Sequence, residues 1–340
     1  MKFLRACLVL TTLALIAAIA TRAFADPLPG EVLKFQQLPL NNGLGVTVGG
    51  VTYGAGGAPY PGHDELSTAY PNTSLSDFNG TFAADDFSDN YSSPVVHLTW
   101  WGSYLNNSNA APNGGVKQFL ISFESDLPAA QNAAGYSEPN QPILTQVVTP
   151  GAISAGSGTF TETLINNNNG TSEPLYQYNA ELAMPFQEQA GTVYWLKIVA
   201  LAGLNQQSLQ WGWHNRDWGI QDTLASAVPT PGEHVEGTVT TAMIPVWHFQ
   251  DDAVTGNIDY GVNSAGTFAI NSETQMLPMN YQRTPSGSVP IDGQPGIETL
   301  SEDLAFQLYT VPEPSTIVLL GLGTLGIGAK LWRRRRVCNA

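Results

Sequence analysis

Charge is scarce in this 340-residue chain: Asp, Glu, Lys and Arg together make up 12% of it, about half the roughly 25% usual for soluble domains. Basic residues are the scarcest. All 28 acidic residues lie between Asp26 and Glu313, where only Lys34, Lys117, Lys197, Arg216 and Arg283 accompany them, a net charge of −23 with His neutral. A surface of that sign repels phosphate backbones and anionic lipid, which disfavours nucleic acid as a partner, and it attracts divalent cations. Cysteine is missing from the same span, since Cys7 and Cys338 stand at the two extreme ends. The body therefore has no disulfide framework, thiolate metal site or Cys nucleophile, and its stability must come from packing or bound ions.

Catalytic and cofactor motifs are also missing. The five histidines (His63, His97, His214, His234, His248) form no HExxH or H-x-H pair, so a zinc site has little local support. There is no G-x-S-x-G elbow and no P-loop. Gly321 to Gly326 matches G-x-G-x-x-G, but it follows a proline, precedes arginines and lacks the βαβ setting a dinucleotide fingerprint needs. Long segments with helical periodicity are absent too.

Strand-like alternation is present throughout. Val96, Leu98 and Trp100 alternate with Val95, His97, Thr99 and Trp101. The same period of two runs through Phe119, Ile121 and Phe123, through Tyr176, Tyr178, Ala180 and Leu182, and through Leu304, Phe306 and Leu308; Val193 to Val199 is apolar on both faces apart from Lys197. Turn clusters separate these segments, among them Pro112-Asn113-Gly114-Gly115 and Gly156-Ser157-Gly158. The pattern predicts an all-β fold, an antiparallel β-sandwich of jelly-roll type over residues 26–310. The Gly-rich stretch 43–62 reads as a long loop near its start.

The two ends read as addresses. Lys2 and Arg5 precede an apolar run to Ala20, and Ala23-Phe24-Ala25 offers a cleavage site before Asp26. Residues 1–25 are thus read as a signal peptide, cut between Ala25 and Asp26. At the other end Pro312-Glu313-Pro314 precedes an apolar segment, 315–332, and then Arg333, Arg334, Arg335 and Arg336. Eighteen residues make a helix of about 27 Å, enough to span a hydrocarbon core with Lys330 snorkelling. The arginines belong on the cytoplasmic side, which leaves the body facing outward.

The order of triad, short helix and basic cluster over residues 311–340 resembles the PEP-CTERM sorting signal. That resemblance implies a Gram-negative bacterium making exopolysaccharide or biofilm matrix. It also implies processing near the triad by an exosortase, a membrane-embedded cysteine transpeptidase. A second resemblance covers residues 31–310. Leu33 to Pro39 (LKFQQLP), Phe82 to Phe87 (FAADDF), His97 to Tyr104 (HLTWWGSY) and Asp303 to Leu308 (DLAFQL) follow one another in an order similar to a secreted bacterial domain of unknown function. That domain carries no established activity, so it transfers no catalytic residue.

Two groups of side chains qualify as binding candidates. Asp85-Asp86 and Asp251-Asp252 are paired carboxylates of the hard-oxygen type that suits Ca²⁺, although neither run matches an EF-hand loop; the alternative is solvated turn carboxylates. Trp211 and Trp213, two apart on one strand face, would make a stacking platform for sugar rings if exposed, with Asp217 for hydroxyls. If buried, they are core. The sequence therefore points to a non-enzymatic exported protein of the cell surface or matrix, released by signal peptidase and the secretion machinery and then handled by exosortase. An exopolysaccharide-binding module is the alternative, and a secreted hydrolase with two apposed carboxylates comes third.

Overall fold

A computed structural model describes residues 27–312, apart from 38, 40–45, 49–50, 54–63, 73, 75, 90, 106–113, 129, 167–173, 216–252, 263–267 and 280–302. The described residues form strands and no α-helix. In chain order the strands are β1 (Val32–Gln37), β2 (Val46–Val48), β3 (Val51–Tyr53), β4 (Asp64–Leu66), β5 (Thr68–Pro71), β6 (Asp77–Phe87), β7 (Val95–Tyr104) and β8 (Gln118–Leu127), then β9 (Glu138–Pro150), β10 (Thr159–Asn166), β11 (Leu175–Phe186), β12 (Tyr194–Leu201), β13 (Trp211–His214), β14 (Val254–Val262), β15 (Phe268–Pro278) and β16 (Phe306–Thr310). The segments in which the sequence alternates with period two fall on strands, except that Leu304 stands ahead of β16 in an isolated bridge to Asn215. The stretch 43–62 departs from its reading as a loop, because β2 and β3 pair within it as a small antiparallel hairpin.

The all-β expectation holds, but the sheet arrangement is a correction. Fourteen strands form one continuous sheet in the order β1-β16-β7-β11-β10-β9-β8-β12-β5-β6-β14-β15, with β13 set beside β7 and β4 beside β13. It is mixed rather than antiparallel, for β10 runs parallel to β9 and β12 parallel to β5. The β9–β10 junction is short, joining Thr149 and Pro150 to Thr159 and Phe160. There the sheet folds over, and its two halves face each other across one core.

Alternation explains that core. Leu98, Trp100, Tyr178, Ala180, Phe306 and Leu308 from one half meet Phe119, Ile121, Phe123, Leu196 and Ile198 from the other, all buried in a single apolar cluster. Phe119 stands edge-on to Trp100, Tyr178 and Trp211, with ring centroids 4.9–5.1 Å apart, and Phe123 stacks on Phe186 at 4.2 Å. Such offset and edge contacts are the favoured aromatic geometries and add to area burial.

A smaller cluster of Phe82, Leu120, Trp195, Val199, Ile258 and Tyr260 lies on the other face of the second half. The β14–β15 end curls back over it: the Tyr136 hydroxyl donates to the Met276 carbonyl at 2.5 Å, and Lys197 pairs with Glu273 of β15. The signal-peptide residues and the segment 313–340 lie outside the described residues. Among the described residues no helix is long and apolar enough to cross a membrane.

Candidate functional site

The first half-sheet (β1, β16, β7, β11, β10) turns a polar face away from the core. Because side chains alternate, β7 sends Leu98 and Trp100 inward and His97, Thr99, Trp101 and Ser103 outward. The registers align these with neighbours on the same face: His97 opposite Glu181 and Tyr309, Thr99 opposite Asn179 and Gln307, Trp101 opposite Gln177. His97, Thr99, Ser103, Gln177, Asn179, Glu181 and Gln307 are each at most 5% exposed. A buried polar row in mid-sheet is unusual, because each such group requires a partner. Thr99 Oγ1 finds one in Asn179 Oδ1 at 2.8 Å. Among the described residues His97 Nε2, Trp101 Nε1, Gln177 Nε2, Asn179 Nδ2 and Glu181 Oε2 have no hydrogen-bond partner.

At one end of this row three titratable side chains converge. A tight turn brings in Glu31: its amide donates to the Leu28 carbonyl at 2.9 Å, the Leu28 amide donates to Glu31 Oε2 at 2.8 Å, and Gly30 takes a φ of 98°. His97 Nδ1 lies 3.0 Å from Glu31 Oε2 and 3.6 Å from Glu181 Oε2, and Tyr309 packs on the imidazole with ring centroids 5.1 Å apart. Glu181 Oε1 is held by the Gly156 amide at 3.2 Å. Burial pushes the Glu181 carboxyl up to about 7, and the nearby Glu31 charge adds to the shift. Burial also lowers His97 below the usual imidazole value, against the opposing pull of Glu31.

At the other end Asp64 of β4 accepts from Ser103 Oγ at 2.5 Å and meets His214 Nδ1 at 2.8 Å. The residue types are those of a serine hydrolase, but the order differs. Asp64 sits between the serine and the histidine, so the Ser103 proton goes to a carboxylate instead of an imidazole base. In the nucleophile–base–acid relay the imidazole stands in the middle.

On the core side, the Tyr104 hydroxyl donates to Glu162 Oε2 at 2.5 Å and accepts from the Val116 amide at 3.0 Å. Trp211 Nε1 donates to the Tyr178 hydroxyl at 3.0 Å. Burial raises the Glu162 carboxyl, opposed by its bonds to Tyr104 and Tyr178.

The residues singled out from the sequence fare differently. Trp211 and Trp213 are both 0% exposed. As β13 lies against β7, their rings fill the main core, and Trp213 Nε1 donates to the Ala305 carbonyl at 2.9 Å. The stacking-platform reading is therefore corrected, since large aromatics on a strand wedged into the sheet bury on its core face.

The Asp85-Asp86 pair is corrected as well. It lies within β6, not in a loop, and consecutive strand residues leave on opposite faces. Asp85 goes with Ala83 and Phe87 towards the main core, Asp86 with Phe82 and Ala84 towards the second cluster. Asp85 Oδ2 accepts the Leu304 amide at 2.7 Å, a tie to the segment leading into β16. The two carboxylates do not converge on one calcium ion. Asp217, Asp251, Asp252, Ala25, Asp26, Glu313, Pro314 and Arg333 to Arg336 lie outside the described residues; Pro312 is exposed just after β16.

The model of the domain of unknown function DUF7901 matches residues 58–255, more than half of the chain. The chain belongs to the DUF7901 family. The matched span holds β4 to β13, and with them His97, Glu181, Ser103, Asp64 and His214, whereas Glu31, β1 and β16 lie outside it. The PEP-CTERM protein-sorting motif matches residues 310–336, which implies an exported protein processed by exosortase at the membrane of a Gram-negative bacterium. No curated protein and no solved structure matches the chain. In this DUF7901 protein sequence reasoning missed the Glu31–His97–Glu181 convergence. Its one local signal is the polar alternation His97, Thr99, Trp101, Ser103 on a strand whose other face is apolar.

Proposed function

We propose that this protein is a non-enzymatic component of the cell surface or extracellular matrix. It would be exported after cleavage between Ala25 and Asp26, held briefly by a helix over 315–332 with Arg333 to Arg336 in the cytoplasm, and then released or transferred by exosortase at Pro312-Glu313-Pro314. One observation carries the reading: the sorting motif begins where the closing strand ends. β16 runs to Thr310 between β1 and β7 and is buried throughout, while Val311 and Pro312 are exposed. A cut beyond Pro312 leaves every described strand of the sheet in place, so the folded body survives processing. The acidic surface suits an extracellular setting of polysaccharide and cations. The buried Trp211–Trp213 pair gives a polysaccharide no stacking surface, so the reading does not rest on sugar binding there.

The test is fractionation of a host that carries an exosortase. The body is expected outside the inner membrane and shorter by the tail. With Pro312, Glu313 and Pro314 all replaced by Ala, the full-length chain should stay in the inner membrane. A body found mainly in the cytoplasm, or processed equally with the triad replaced, would overturn the reading.

A further inference from the structure

The Glu31–His97–Glu181 cluster has the layout of a coordination sphere. One imidazole nitrogen and two carboxylate oxygens come from three separate segments, and their ligand atoms lie within 4.8 Å of one another. A first-row divalent ion holds N and O ligands at about 2.0–2.2 Å, which places neighbouring ligand atoms roughly 3.0–3.4 Å apart. His97 Nδ1 lies 3.0 Å and 3.6 Å from the two carboxylate oxygens, close to those edge lengths.

A second, independent observation points the same way. Glu181 is 3% exposed, and its Oε2, turned into the cluster, has no hydrogen-bond partner among the described residues. A buried carboxylate oxygen left in this way calls for an ion or a proton.

The supports of the cluster match those of a metal site. The Leu28 amide fixes Glu31 and the Gly156 amide fixes Glu181 by its other oxygen, Oε1, leaving Oε2 free to ligate. Tyr309 packs against the imidazole at a tilt of 53°, and Asn179 flanks it. Outer contacts of this kind orient ligands and set the imidazole tautomer. Access is short, for Pro29 and Gly30 on one side and Ser154 to Gly156 on the other are exposed.

We propose that Glu31, His97 and Glu181 bind a divalent first-row transition ion of the Zn²⁺ or Mn²⁺ type, water completing the sphere. The imidazole favours such ions over Ca²⁺ and Mg²⁺, which take oxygen ligands. Ligation through Nδ1 takes the neutral imidazole with its single proton on Nε2, and it releases to solvent any proton shared by the two carboxyls. The ion would pin the turn before β1 to β7 and β11, joining three segments in a body that has no disulfide.

The test uses the full chain, stripped with EDTA and titrated with Zn²⁺, Mn²⁺ and Ca²⁺ by calorimetry and thermal melting. One equivalent of Zn²⁺ or Mn²⁺ should bind, with a rise in Tm of roughly 4–8 °C at saturating ion and a smaller effect of Ca²⁺. Glu181→Gln and Glu31→Gln each remove one ligand while keeping its shape, and each should lower the affinity at least tenfold. Asp259→Asn, an acidic residue on β14 far from the cluster, should leave it unchanged. Absence of stoichiometric binding would overturn the proposal. So would an equal loss in all three variants, which marks general attraction to the acidic surface, or undiminished binding by both Gln variants. Should one Gln variant fail to fold, the other carries the comparison.

Discussion

Two of the three described lysines of the body, Lys197 and Lys34, act as buried counterions, and each is committed to more than one acid. Lys197 on β12 is fully buried, donates to Glu124 Oε1 at 2.7 Å, pairs with Glu273 and lies 4.2 Å above the Phe82 ring. Lys34 is held in the same way by Glu188, by Asp89 at 3.4 Å and by the Ser93 carbonyl at 2.6 Å. Breaking such a group by removing one partner is severe, because the remaining charges are left buried and uncompensated. Lys197→Met is expected to destabilise the fold by about 3–5 kcal/mol, measured by urea denaturation. A loss below about 1 kcal/mol would show that Glu124 and Glu273 take up protons at little cost.

Glu162 gives a pH prediction. Its folded carboxyl lies above the ordinary value, chiefly through burial, so the folded state holds its proton to higher pH than the unfolded chain does. Stability is therefore lost as pH rises from the ordinary carboxylate range through the raised folded value, and the loss is complete above it. Glu162→Gln removes that loss and keeps an oxygen to accept from Tyr104. Its melting temperature should gain on the parent chain as pH is raised from 4 towards 7. Parallel melting curves for the two chains would refute this.

Among the elements, β13 shows how a four-residue strand can be decisive. Two of its residues, Trp211 and Trp213, are core, while its backbone closes the gap between β7 and β4. The approach to β7 is so close that only glycine fits at position 102. A methyl group there would meet the Gly212 carbonyl oxygen and stand 2.5 Å from the Trp211 ring. Gly102→Ala is expected to displace β13 and cost about 3 kcal/mol or more, with loss of the near-ultraviolet tryptophan circular dichroism. A variant with unchanged Tm and spectrum would mean that β13 shifts without consequence.

At the scale of the whole molecule, one folded-over sheet explains how an exported chain without disulfides in its body can hold together. The first described strand, β1, pairs with the last described strand, β16, and β16 pairs with β7 in the middle. The point where the sorting tail departs is therefore woven into the sheet on both sides. A tail that is pulled, cut or transferred acts on a buried strand rather than on a frayed end.

Much of this was legible in the residues themselves. Alternation of period two fixes which face of a strand is apolar, so the core sides of β7, β8, β11 and β16 can be written down from Leu98, Phe119, Tyr178 and Phe306 alone. The tail is equally legible, because an address is read by other proteins as linear sequence. The split of Asp85 from Asp86 follows from the same alternation once the pair is placed on a strand and not in a loop. Other features arise only when distant segments meet. Whether Trp211 and Trp213 face water depends on which strands enclose β13, and Glu31, His97 and Glu181 come together because β1, β16, β7 and β11 are neighbours across the sheet. Local patterns carry the orientation of each side chain, and tertiary pairing alone decides which of them face one another.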